Sequence, residues 1–98
     1  MEDYMSLQSR VQKFKILSDE NRLRVLEILG KGPRCVSELK DQLCLPQTLV
    51  SHHLRILRDA DFVVCERQGN RMIYRLSDTI LAHDQTLELG CCRIEFKL

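Results

Sequence analysis

The stretch Leu45-Pro46-Gln47-Thr48-Leu49-Val50-Ser51-His52-His53-Leu54-Arg55-Ile56-Leu57-Arg58 decides how this chain reads. Val50, Leu54 and Leu57 fall at spacings of four and three, which places them on one side of a helix predicted from about Gln47 to Ala60. The other side carries Gln47, Thr48, Ser51, His52, Arg55 and Arg58, a surface of hydrogen-bonding and cationic groups. Pro46 fixes φ for a helix start but supplies no side-chain cap. His52 and His53 are consecutive, so they point about 100° apart and are poorly placed to chelate one ion. One faces outward and the other packs.

Just before this helix, Val36, Leu39 and Leu43 mark a short helix, with Cys35 or Ser37 near its start and a tight break at Cys44-Leu45-Pro46. Further back, Leu23, Val25, Leu26, Ile28 and Leu29 give a broadly buried helix, capped by Ser18 or Asp19 and stopped by Gly30, Gly32 and Pro33. Leu7, Val11, Phe14 and Leu17 form an apolar stripe on a first helix over residues 6 to 17. On the other side, Phe62-Val63-Val64-Cys65 and Met72-Ile73-Tyr74 are β-rich runs around Gln68-Gly69-Asn70, the pattern of a hairpin. A last helix is expected over Thr79 to Leu89, with Ile80, Leu81 and Leu87 apolar, and then a short tail carrying Cys91-Cys92. The class is mainly α with a small β-hairpin. Two helices joined by a tight turn and followed by a hairpin make a winged helix-turn-helix, whose second helix enters the major groove while the hairpin touches flanking backbone.

Composition agrees. Residues 1–98 suffice for one domain, and 44% apolar residues can fill one modest core. Fifteen basic and fourteen acidic residues exclude a strongly cationic, non-specific nucleic-acid binder but not a local basic face. No apolar run is long enough for a membrane span, and the start MEDYMSLQSR does not read as a signal peptide, so a cytoplasmic home is expected. No catalytic triad, phosphate loop or carboxylate pair stands out, so an enzyme is not expected.

Several stretches resemble the ArsR/SmtB family of metal-responsive transcriptional repressors. Leu17-Ser18-Asp19-Glu20-Asn21-Arg22-Leu23-Arg24 is similar to its leucine-serine-aspartate opening. Cys35-Val36-Ser37-Glu38-Leu39 resembles its cysteine-valine-cysteine box, Val50-Ser51-His52-His53-Leu54 its recognition helix, and Arg67-Gln68-Gly69-Asn70-Arg71 with Tyr74-Arg75-Leu76 its wing. The match covers about residues 14 to 77. The resemblance implies a homodimer, joined through its first and last helices, that binds a palindromic double-stranded operator and lets go when an inducer binds. Self-association would also cover the apolar stripes at Leu7, Val11 and Phe14 and at Ile80, Leu81 and Leu87, which have no obvious home in a domain this small.

On that reading Gln47, Thr48, Ser51 and His52 reach bases or phosphate, Gln47 being able to bond an adenine edge bidentately. Arg55, Arg67 and Arg71 are expected on phosphates. The family often has serine where this chain has Pro46, so the first-turn contacts differ.

The inducer site must be located residue by residue. Ser37 replaces the second cysteine of the arsenic-type box, and a hydroxyl is a poor substitute for a soft thiolate. Asp78, His83, Asp84 and Glu88 lack the spacing of the zinc-type site. What remains is Cys91-Cys92, which looks like the adjacent-cysteine variant of the arsenic sensors. As(III) and Sb(III) take three thiolates in a pyramid. Cys35 is the first choice for the third sulfur, from this chain or its partner, with Cys65 or Cys44 second. Taken singly, Cys35 is open between packing at the helix start and ligation, Cys65 suits a core position, and Cys44 stands where the family often has glycine. No permanent cofactor is expected. The inducer is As(III) or Sb(III), with a Cd- or Pb-responsive or a persulfide- or redox-responsive repressor of the same fold as the alternative.

Overall fold

The computed structural model describes residues 6–96. The acidic start before Ser6, and residues 97–98 of the expected tail, lie outside the described residues. Four helices come first: α1 (Leu7–Leu17), α2 (Glu20–Leu29), α3 (Val36–Leu43) and α4 (Gln47–Asp59). Between α2 and α3 lies a two-residue strand, β1 (Arg34–Cys35). The wing follows α4 as β2 (Val63–Gln68) and β3 (Arg71–Leu76), and the chain closes with β4 (Leu81–His83), β5 (Thr86–Glu88) and β6 (Arg93–Glu95).

Local chemistry sets the helix ends. The Ser6 side chain accepts from the Ser9 backbone N–H at the start of α1, and the Asp19 carboxylate accepts from that of Arg22 at the start of α2. Arg22 Nε also donates to the Ile16 carbonyl (2.8 Å), fixing the corner between the two helices. The α3–α4 turn is made by Cys44 in the left-handed region (φ 56°), a conformation most residues adopt only at a cost. After α4, Asp61 is also left-handed, the Phe62 N–H returns to the Leu57 carbonyl and the Asp61 N–H to the Arg58 carbonyl. That is a Schellman ending, and it drives Phe62 into the core. Lys13 Nζ from α1 closes over this corner, donating to the Ala60 carbonyl at 2.7 Å and lying 4.8 Å from the Phe62 ring centre.

One core is shared by Val25 and Leu26 of α2, Leu39 of α3, Leu54 of α4, Phe62, and Leu87 of β5. The wing sheet has the order β1-β3-β2 and is antiparallel throughout, with Cys35 opposite Ile73 and Gln68 opposite Arg71. Gly69 (φ 64°) supplies the positive φ that the two-residue turn requires.

The expected last helix is absent. Thr79 to Leu89 instead enters a second antiparallel sheet of order β4-β5-β6. Two features explain the difference. His83 pairs with Thr86 across the two-residue turn Asp84-Gln85, and Asp84 adopts φ 55°, which an aspartate tolerates. Leu87, Leu89 and Cys91 then alternate inward at period two, a strand pattern, whereas Ile80, Leu81 and Leu87 give only an imperfect helical stripe. The cysteine pair is therefore part of the sheet end rather than a loose tail, and Cys91 is buried in the common core. Dimerisation through first and last helices must be revised accordingly. Ile80 and Leu87 are spent on the chain's own core, and Leu81 alone of the three is exposed. A Cβ added at Gly30 would stand 3.3 Å from Leu87 Cδ2, so β5 closes tightly on the end of α2.

This placement separates two leucines that a helix would have treated alike. Leu87→Ala should lower stability by about 2–5 kcal/mol, whereas Leu81→Ala should stay within about 0.5 kcal/mol of the parent. Urea unfolding of both variants checks it, and equal losses would contradict the sheet.

Candidate nucleic-acid interface and thiol sites

With Val50, His53, Leu54 and Leu57 buried, α4 turns its opposite side to solvent. There Gln47, Thr48, Ser51, His52 and Arg55 line one open groove, so five of the residues expected to read DNA are brought together. All five are exposed. Pro46 opens the helix without a side-chain cap, as expected, and its carbonyl accepts from the N–H groups of Leu49 and Val50.

The two remaining expected contacts sit on the wing. Arg67 is at its outer end, where Nε donates to the Gly69 carbonyl (3.2 Å) and leaves the side chain exposed. Arg71 is differently placed. Its Nη2 donates to Cys35 Sγ at 2.9 Å and lies 3.8 Å from Glu38 Oε1. The sequence reading missed this link, although Cys35-x-x-Glu38 has the spacing of a capping box with sulfur in place of a hydroxyl. Both halves of that box are present, the Glu38 N–H on the sulfur and the Cys35 N–H on the Glu38 carboxylate (2.9 Å). Arg75, next along β3, is engaged by Asp78 (2.9 Å) and Glu66 (3.4 Å). On α4 and the wing, Arg55, Arg58 and Arg67 are exposed and appear in none of these ion pairs.

The two histidines divide as expected. His52 is in the groove, and His53 is buried at 6% exposure with its Nδ1 lacking a hydrogen-bond partner. Their rings meet edge-on with centres 5.5 Å apart. Burial holds the His53 pKa below the usual histidine value. The Asp19 carboxylate works against that shift, and the Arg22 and His52 charges add to it.

The thiols fall into separate environments. Cys91 and Cys92 lie with Sγ atoms 3.7 Å apart, Cys91 buried and Cys92 half-buried. Arg10 reaches from α1 to the Cys91 carbonyl (3.5 Å). Burial, the neighbouring Cys91 sulfur and the Glu88 charge push the Cys92 thiol up to about 11. The Cys35 thiol moves the other way, lowered by hydrogen bonds from Ser37, Arg71 and the Glu38 N–H. Cys65 is half-buried opposite Tyr74, and Cys44 is exposed at the α3–α4 turn. Among the described residues no three His, Cys, Asp or Glu side chains gather in a position to hold a metal ion. Within one chain, then, Cys35 does not complete a site with Cys91 and Cys92. Nor, among the described residues, is any helix long and apolar enough to cross a membrane.

Four helices, an exposed fourth helix and a β-wing define the winged helix-turn-helix class. Residues 19–64 match the model of the bacterial regulatory protein arsR family. The arsenical resistance operon repressor of Bacillus subtilis is 37% identical over 81 residues, 82% of this chain and 77% of that one. The HTH-type transcriptional repressor SmtB of Mycobacterium tuberculosis is 48% identical over 62 residues, 63% of this chain but 46% of its own length. This chain therefore spans about half of that relative. A homodimeric winged helix-turn-helix DNA-binding domain from Mycobacterium bovis, described as a possible ArsR-family transcriptional regulator, has a similar structure (TM-score 0.70, 27% identity, 74% of this chain and 68% of that one). The chain belongs to the ArsR family.

The His53 geometry has a measurable consequence. Its folded pKa lies below the unfolded value of about 6.5, so the fold favours the neutral ring. That contribution is complete above the unfolded pKa and is lost as pH falls below it. Stability should therefore decline from about pH 6.5 downward, and His53→Leu should flatten that limb. Urea midpoints measured across the acid range test this, and an unchanged limb in the variant would contradict it.

Proposed function

We propose that this chain is a transcriptional repressor that acts as a homodimer on a palindromic operator and is released by As(III) or Sb(III). The observation that carries the reading is the groove on α4, where Gln47, Thr48, Ser51, His52 and Arg55 stand side by side and exposed. Gln47 offers a bidentate amide for an adenine edge, worth about 1–3 kcal/mol of discrimination. Thr48 and Ser51 bond bases or phosphate, and Arg55 with Arg67 sets register on the backbone.

Pairing of two copies is supported by α1, where Leu7, Val11 and Phe14 are 78%, 41% and 44% exposed. A second copy covering this stripe would bring two α4 helices to successive half-sites one DNA turn apart. The similar mycobacterial domain is itself homodimeric, which supports pairing.

For the inducer, the arsenical repressors among the relatives and the Cys91–Cys92 pair point the same way. Arsenous acid and two thiols condense to a dithiolate arsenic with loss of two waters, each thiol proton leaving with a hydroxide. A third sulfur, from Cys35 of a second copy, would release one more water. Because Arg10 of α1 holds the Cys91 carbonyl, an ion on this pair pulls directly on the proposed dimer helix. Coupling of about 1–3 kcal/mol is enough to weaken DNA binding several-fold or more.

The test is operator binding with and without arsenite, on a duplex that the wild-type chain selects from a random-sequence pool. Arsenite should weaken wild-type binding at least about tenfold and leave the Cys91→Ser/Cys92→Ser variant unaffected. Unchanged release in that variant rules the site out. Release by cadmium, lead or a persulfide donor but not by arsenite would replace the inducer and keep the repressor. Gln47→Ala should relax discrimination at one base position, and uniform selection by the wild type itself would remove the DNA-reading role.

A further inference from the structure

The wing changes character along its length. At Ile73 and Tyr74, β3 lies between β1 and β2, because Cys35 and Arg34 pair with these two residues. Beyond Ile73, β1 has ended. Arg67–Met72 and Gln68–Arg71 are then pairs of a two-stranded ribbon, and all the residues from Glu66 to Met72 are exposed. A short ribbon with so little apolar burial is marginally ordered in water by itself. Among the described residues, the polar link that the outer ribbon makes to the body of the protein is Arg71, through Cys35 and Glu38.

The receiving end of that link is held firmly. Cys35 is buried, pinned by its strand pairing with Ile73 and by the capping box with Glu38. Ser37 Oγ lies 3.1 Å from the same sulfur. Arg71 stands two residues before Ile73 on β3, so its side chain crosses diagonally to the residue opposite Ile73, a distance a long side chain spans readily. A single guanidinium nitrogen, Nη2, meets both groups, 2.9 Å from the sulfur and 3.8 Å from Glu38 Oε1.

We propose that Arg71 is a positioning residue, which clamps the outer wing to the start of α3 through Cys35 and Glu38 so that wing and helix-turn-helix meet DNA as one rigid unit. This replaces its expected role on a phosphate and rests on the DNA-binding reading for its second readout alone. The clamp also makes the Cys35 sulfur the point through which the wing is held.

Amide hydrogen exchange of the full chain tests the clamp without DNA. Arg71→Ala should speed exchange at residues 67–72 about tenfold and leave the core amides of α2 and α4 unchanged. Cys35→Ala, which leaves the Arg71–Glu38 ion pair, should accelerate the same amides, and the double variant should be no faster than Arg71→Ala, which already removes the whole link. Cys35→Ser, which keeps an acceptor for both the cap and Arg71, should stay close to wild type, and Arg71→Ala, which spares the cap, separates clamp from capping loss. On the selected duplex, Arg71→Ala should weaken binding several-fold with no change in the slope of log K against log salt. Unchanged wing exchange in Arg71→Ala, or additive effects in the double variant, would overturn the clamp. So would a slope reduced by about 0.9, the signature of one lost phosphate contact. If the wild type selects no duplex, the repressor reading fails, and the exchange data still decide the clamp.

Discussion

Val50, Leu54 and Leu57 are removed from water on one side of α4, against α2, α3 and the start of the wing. Burying each such side chain contributes about 1.5–3 kcal/mol. No rotation of the helix satisfies all three except the one that turns Gln47, Thr48, Ser51, His52 and Arg55 outward. The groove is therefore a consequence of core packing rather than an independent feature. His53, between Val50 and Leu54 in the same buried row, is the one polar group drawn in with them, and its unpartnered Nδ1 is the cost of keeping that register.

The amino-acid pattern disclosed this part of the molecule readily, because helix period and burial agree there. The four helices, the α3–α4 break and the Gly69 hairpin all follow from short-range signals. Two features escaped. β1 is two residues long, too short to show a period, and exists because Arg34 and Cys35 meet β3 across a gap in sequence. The C-terminal sheet escaped because Ile80, Leu81 and Leu87 mimic a helical stripe, while the deciding residue, Asp84, takes a left-handed conformation that many sequences could avoid. For the site, the outward side of α4 was legible residue by residue. The Arg71–Cys35 link was not, since it joins positions 36 residues apart.

The five cysteines illustrate how environment divides one chemistry. Cys44 serves a turn, Cys65 a strand, and Cys35 a helix cap and a wing contact. Cys91 and Cys92 sit as neighbouring sulfurs at the end of a sheet that α1 touches through Arg10. The pair and Cys35 lie on opposite sides of the proposed mechanism, one beside the dimer helix and the other beside the wing. A soft ion that drew on both would act on the spacing of the reading heads and on the wing together.

We propose the outward side of α4 as the DNA-reading surface. An NMR titration of the isotope-labelled chain with its selected duplex, at low and at moderate salt, tests it most directly. The largest amide shifts should fall on Gln47 to Arg55 and on the wing around Arg67, with affinity falling as salt rises. Shifts concentrated on the β4-β5-β6 sheet, with α4 unmoved, would contradict it.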